Sequence, residues 1–179
     1  MNYLKSKEYE DRLFLHDEEY FQPVLEFLEQ NKINKNSKIL DVGCGVGSLV
    51  NILRNRGYKN TYGIDLDSDF IARGRNHYAL NEALFDNETA PFSEKTFDMV
   101  LSFTVAEHVD CIQSFVDFKI KFLKEAGIFY LFAPNFNDVL MQQRILGDKI
   151  GGRMVINRLP FSEGGLSTRQ KNYVKQGVF

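Results

Sequence analysis

From Lys38 onward, short apolar runs alternate with longer amphipathic ones. The runs Lys38 to Val42, Thr61 to Asp65, Glu82 to Phe85, Phe97 to Phe103 and Gly127 to Ala133 have the length of strands. Between them, Leu49 to Arg56, a segment capped by Asp67 or Ser68 and running to about Tyr78, and Ile112 to Lys124 carry apolar residues at helical spacing. Gly57 stops the first of these helices, and Asp110 caps and Gly127 stops the last, Ile112 to Lys124. Strand, helix, strand in repetition predicts an α/β fold: a doubly wound, mostly parallel sheet covered on both faces.

Upstream, Asp17 to Gln30 sets Phe21, Val24, Leu25 and Leu28 three and four residues apart, which predicts an N-terminal helix on the sheet. Tyr3, Tyr9, Phe14 and His16 precede it without a clear period. After Pro134 the pattern loosens. Val139 to Leu146 can be helical, Met154 to Leu159 reads as a sixth strand, and Ser162 to Phe179 has no convincing period. One domain over residues 1–179 is expected, with a helical cap at 1–36, a ligand-binding core at 37–135 and a C-terminal segment at 136–179.

Candidate chemistry sits in one stretch. Ile39 to Val50, ILDVGCGVGSLV, reads as a buried strand running into a glycine turn and then a helix. Gly43, Gly45 and Gly47 remove side chains that would keep a ligand from the backbone, and they permit the positive φ of a sharp turn. Their amides are expected to face the ligand. Asp41 stands just before the turn, and Asp65 closes the next apolar run 18 residues after Gly47, which brings its carboxylate to the same sheet edge. A dinucleotide site fits poorly. Asp41 would repel a pyrophosphate, and the third glycine of that motif is replaced by Ser48. A ligand with an ammonium, a sulfonium, a free ribose and an adenine suits the acids, and S-adenosylmethionine is such a ligand.

DVGCGVG followed by GIDLD resembles the first two motifs of class I S-adenosylmethionine-dependent methyltransferases, over roughly Ser37 to Asn135. The segment from Thr96 to Asn135 looks like the small-molecule branch that includes quinone-biosynthesis O-methyltransferases. The NPPY-type word of enzymes that methylate amino groups is absent from it. The resemblance implies a Rossmann-like sheet in the strand order 3-2-1-4-5, with the C-terminal antiparallel strands reduced or missing in the about 45 residues that follow strand five. It also implies that residues upstream of the first helix fold over the cofactor mouth.

By the same resemblance, Asp41, Gly43, Cys44, Gly45 and Gly47 hold the methionine end of S-adenosylmethionine, with Cys44 itself a small packing residue in the turn. The two oxygens of Asp65 suit the two ribose hydroxyls, Leu66 packs on adenine, and Asp86, with Asn87 beside it, accepts from the adenine amino group. Ser102 and Phe103 end strand four beneath the cofactor, and Asn135 ends strand five on the acceptor side. Val105 to Val109 follows strand four, where the family places residues that face the methyl group. There His108 is the candidate base for an acceptor hydroxyl, with the opening of the next helix as its plainer role. Glu107 could orient it. No metal is expected.

Composition narrows the partners. A net charge of −2 gives no field for nucleic acid, although the tail from Asp148 carries six Lys/Arg against two Asp/Glu. No apolar run approaches the roughly 18 residues of a membrane span. Met1 to Glu10 is not a signal peptide, and two cysteines are no disulfide framework, so the expected address is the cytoplasm and the expected partner a small-molecule acceptor. No nucleophilic triad or Walker word offers rival machinery. A cofactor-binding but catalytically incompetent protein and a nicotinamide-dependent reductase are the alternatives from other classes, the second disfavoured by Asp41 and Ser48.

Overall fold

A computed structural model describes residues 11–87, 90–109, 111–134, 153–159 and 175–177. The chain forms two compact units, residues 1–91 and residues 92–179.

The first unit holds the glycine turn. Its strands β1 (Ile39–Val42), β2 (Thr61–Asp65) and β3 (Leu84–Asp86) are parallel in the order β3-β2-β1. Every residue of β1 is buried, as a strand covered on both faces must be. Helix α1 is Gln22–Gln30, α2 is Ser48–Asn55 and α3 is Ser68–Tyr78. The first helix begins at Gln22 rather than at Asp17 because Pro23 lacks an amide and suits only a first turn. Residues 18–21 are turns, with the Tyr20 amide donating to Asp17 Oδ1 at 3.1 Å. Asp67 caps α3, its Oδ1 accepting from the amides of Asp69 at 2.9 Å and Phe70 at 3.2 Å. The cap therefore does not draw on Asp65.

In the second unit β4 (Phe97–Phe103), β5 (Leu123–Pro134) and β6 (Arg153–Leu159) are parallel neighbours, and β7 (Lys175–Gly177) pairs antiparallel with β6. The runs 3-2-1 and 4-5 are the two halves of the Rossmann-like order. β6 pairs directly with β5, so among the described residues no strand is inserted between them, and the antiparallel part is a three-residue strand. That strand falls in the tail, where the sequence has no strand signal.

Helix α4 (Ile112–Ile120) ends well before the expected Lys124, and β5 starts before Gly127. The carbonyls of Lys121 and Phe122 are taken by the amides of Lys95, Thr96 and Phe97, which draws the chain into the sheet early. Phe97 then pairs with Leu123 and Met99 with Ile128, and the intervening bulge holds Ala126 at φ 59°. The N-cap position of α4 is Cys111, and the expected cap Asp110 lies outside the described residues, as does Val139 to Leu146. Of the apolar residues on this helical stretch, Val116, Phe122 and Leu123 are buried as core.

One glycine in α3 fixes where that helix sits. A Cβ on Gly74 would run into the Val46 carbonyl oxygen and lie 2.7 Å from its carbon, so α3 packs backbone to backbone on the glycine turn. Gly74→Ala should therefore lower stability by roughly 1–3 kcal/mol, because overpacking outweighs the helix propensity gained, about 1 kcal/mol. Denaturant unfolding of the pair is the check, and an alanine variant as stable as wild type would mean that α3 can slide off the turn at little cost.

Candidate functional site

The turn between β1 and α2 has the conformation that its glycines allow. Gly43, Gly45 and Gly47 stand at φ 84°, 55° and 80°, in the left-handed region. Its amides depart from the expectation that they face a ligand. The amides of Gly43 and Cys44 donate to the Ile64 carbonyl at 2.8 and 3.1 Å, that of Gly45 to Asp65 Oδ2 at 2.8 Å, and that of Gly47 to the Cys44 carbonyl at 2.9 Å. These four donors are used within the protein. An anion cradle needs donors turned outward, whereas here a buried carboxylate, Asp41 at 2 % exposure, ends the strand that feeds the turn. The arrangement suits a cation better than a phosphate.

Asp65 ends β2 and ties the turn to the sheet. Oδ2 holds the Gly45 amide and Oδ1 accepts from the Asp67 amide at 2.9 Å. The two carboxylate oxygens offer about four acceptor sites between them, so capacity remains for a further donor such as a ribose hydroxyl. Burial raises the carboxyl above the usual aspartate value, against the opposing pull of the Asp67 and Gly45 amides. Leu66, next in the chain, leaves 86 % of its surface in water. An apolar side chain this exposed beside a polar site is where a flat ring would gain contact.

Asp86 stands beside Asp65 in the β2–β3 register, and the Asn87 amide donates to the Asp65 carbonyl at 3.0 Å. The Asn87 side-chain Oδ1 is buried and accepts no hydrogen bond among the described residues. A buried acceptor in that state is costly unless a donor reaches it, and an adenine amino group is a donor. Asp41, the turn, Asp65, Leu66, Asp86 and Asn87 thus lie on consecutive carboxyl ends of three parallel strands, and their chemistry fits S-adenosylmethionine.

Cys44 packs rather than reacts. A Cβ built on Gly63 would fall 2.7 Å from its sulfur, and burial, with the Asp41 and Asp65 carboxylates adding to it, pushes its thiol well above the ordinary value. Residues 11–16 also lie against the turn, and the sequence signals this only through family resemblance. Ser48, 4 % exposed, donates from Oγ to the Leu13 carbonyl at 2.8 Å and is 3.0 Å from the Tyr78 hydroxyl. A Cβ on Gly45 would meet Leu13 Cδ1 at 3.7 Å.

In the second unit, Ser102 is fully buried in β4. Phe103 ends that strand and stacks on Phe132, with ring centroids 4.2 Å apart and planes within 2°. The chain then turns through Thr104 at φ 54°, and its amide donates to the Phe132 carbonyl at 2.8 Å. His108 is exposed and closes a separate 3₁₀ turn, Ala106–His108, with its amide on the Val105 carbonyl at 3.0 Å. It does not open α4 as the plainer expectation had it, because Val109 breaks the helical path in extended conformation. Asn135 lies outside the described residues. Among the described residues no group of three or more His, Cys, Asp or Glu could hold a metal, and no helix is long and apolar enough to cross a membrane.

Residues 11–166 match the family described as a methyltransferase domain. The chain belongs to that family. Methyltransferases also stand among its curated relatives. It is 30% identical over 132 residues to the mitochondrial ubiquinone biosynthesis O-methyltransferase of Dictyostelium discoideum, covering 65% of this chain and 41% of that one. It is 32% identical over 105 residues to the ubiquinone biosynthesis O-methyltransferase of Pelagibacter ubique, covering 56% and 43%. The chain thus spans less than half the length of these two relatives. Among solved structures, the PH0226 protein of Pyrococcus horikoshii aligns with a TM-score of 0.50 at 21% identity, over 87% of this chain and 60% of that one. The YcgJ protein of Bacillus subtilis aligns with 0.51 at 18% identity, over 68% and 54%. These two likenesses carry the fold alone. The methyltransferase family places the chain in the class I, S-adenosylmethionine-dependent group, and the cofactor of that group is the one that the strand ends suit.

Proposed function

We propose that this chain moves the methyl group of S-adenosylmethionine to the oxygen of a small-molecule acceptor. The observation that carries the cofactor half is Asp65, half-buried at the end of β2, with acceptor capacity left on its carboxylate beside a glycine turn whose amides at Gly43, Cys44, Gly45 and Gly47 are used within the protein. Asp41 balances the cationic methionine end and the glycine turn admits it at close range. Asp65 holds the ribose, Leu66 covers one adenine face, and Asp86 and Asn87 take the adenine amino group.

The cofactor, when bound, supplies the methyl electrophile. What the chain must do is align an acceptor in line with the sulfur and exclude water. For a hydroxyl acceptor, His108 would take the proton that the acceptor oxygen gives up. Oxygen is favoured as the acceptor atom by the two quinone-pathway relatives, whose printed names carry O-methylation, and by the missing amino-methylation word. A cytoplasmic address goes with this reading.

Titration calorimetry with S-adenosylhomocysteine and with NADH tests the cofactor, and methyl transfer to a panel of phenolic and quinol hydroxyls tests the reaction. Binding of the first ligand alone, with methyl ethers as products, is expected. NADH binding in its place would return the chain to the reductase class, and binding with no transfer to any acceptor would leave a cofactor-binding protein.

A further inference from the structure

Residues 11–21 form a strap across the glycine turn and α3. Asp11 receives Arg73 Nη2 at 3.1 Å, and the Phe14 ring lies 4.6 Å from that of His77, 5.9 Å from that of Tyr78 and 5.2 Å from the Arg73 guanidinium. At the other end Glu18 takes Arg56 Nε at 2.9 Å and Nη2 at 2.8 Å. These ion pairs are solvent-facing and weak holds. Between them sits a part-buried hydrogen bond. The Leu13 carbonyl can only accept, so the single Ser48 hydroxyl proton goes to it, and the Tyr78 hydroxyl must then donate to Ser48 Oγ. The result is a directed relay from Tyr78 through Ser48 to Leu13.

The relay ends where the turn meets the cofactor site. Leu13 Cδ1 covers the position that a side chain on Gly45 would fill, and the Gly45 amide is held by Asp65 Oδ2. Strap, turn and carboxylate are one chain of contacts. We infer that Ser48 is a positioning residue, a latch that holds the strap on Gly45 and so sets how long the cofactor stays bound. This rests on the reading of Asp65 as a cofactor ligand. Ser48 stands where a dinucleotide site has its glycine, so the residue that breaks that motif has a use of its own.

Two readouts test it in the full chain: release of labelled S-adenosylhomocysteine, and trypsin cleavage after Arg12 with and without that ligand. In wild type the ligand should slow cleavage at Arg12. S48A should release the ligand about three- to tenfold faster, the range of one net hydrogen bond, and the ligand should no longer protect Arg12. Y78F leaves the Ser48 to Leu13 bond in place and should fall between the two. A serine with a merely structural role would lower the melting temperature while leaving release and protection at wild-type values, and that result overturns the latch. Should S48A not fold, Y78F decides by the same measures. Wild-type protein that binds no S-adenosylhomocysteine overturns the cofactor reading and the latch together, whereas wild-type binding with unaltered variants overturns the latch alone.

Discussion

Asp65→Ala should bind S-adenosylhomocysteine roughly 10- to 150-fold more weakly than wild type, the equivalent of about 1.5–3 kcal/mol for hydrogen bonds to a charged group. Two losses act in one direction. The acceptors for the ribose go, and so do the partners of the Gly45 and Asp67 amides, so the turn loses one of its ties to β2, those of Gly43 and Cys44 to the Ile64 carbonyl remaining. Asp65→Glu should recover part of the affinity, because the longer arm misplaces both oxygens. Asp67→Ala is the control: it removes the α3 cap, costs about 1 kcal/mol of stability and should leave affinity near wild type. A folded Asp65→Ala protein with unchanged affinity would remove this residue from the site.

The same carboxyl gives the pH dependence a sign. Burial raises it, so the folded chain holds that proton more tightly than the unfolded chain does. Its contribution to stability therefore falls as pH rises through the window above the ordinary aspartate value of 3.8, and is recovered on acidification. Ligand affinity runs the other way. The ionised form is the better acceptor, so affinity should fall on acidification at a higher pH than an ordinary aspartate would give. Calorimetry from neutral pH downward measures this.

His108→Ala or His108→Gln should lower turnover about 100-fold or more once an acceptor is in hand, the lower end of what a positioned base contributes. Cofactor affinity should stay nearly intact, since the residue belongs to a 3₁₀ turn after β4 and not to the glycine turn or the β2 end. A variant with wild-type turnover would leave alignment alone to explain the chemistry.

What could be read in the sequence follows from what is local. β2 and β4 were given residue for residue by apolar runs bounded by turn residues, and the glycine turn by its spacing. The end of α4 could not be read, because Phe122 and Leu123 continue a helical pattern while a distant segment, Lys95 to Phe97, competes for the backbone there. Gly74 was invisible for the same reason: its function is a backbone approach from Val46, 28 positions earlier in the chain. The sequence marks Asp65 as a candidate ligand but carries no sign of its tie to Gly45, which spans 20 residues. Ser48 stood out in the sequence only as a departure from another motif, and its tie to Leu13 spans 35.

The closed hydrogen bonds of the glycine turn bear on which adenosine compounds the site can tell apart. ATP and S-adenosylmethionine present the same base and the same ribose, so Asp65, Leu66 and Asn87 would greet either one. They differ only at the 5′ carbon, where one carries a polyanion and the other a cationic amino acid. In the turn the amides of Gly43, Cys44, Gly45 and Gly47 already serve the protein, and Asp41 lies buried at the strand end behind them. A triphosphate arriving there would meet negative charge without those donors to offset it. On the proposed reading of the site, discrimination against nucleotides would follow from the way the backbone satisfies itself.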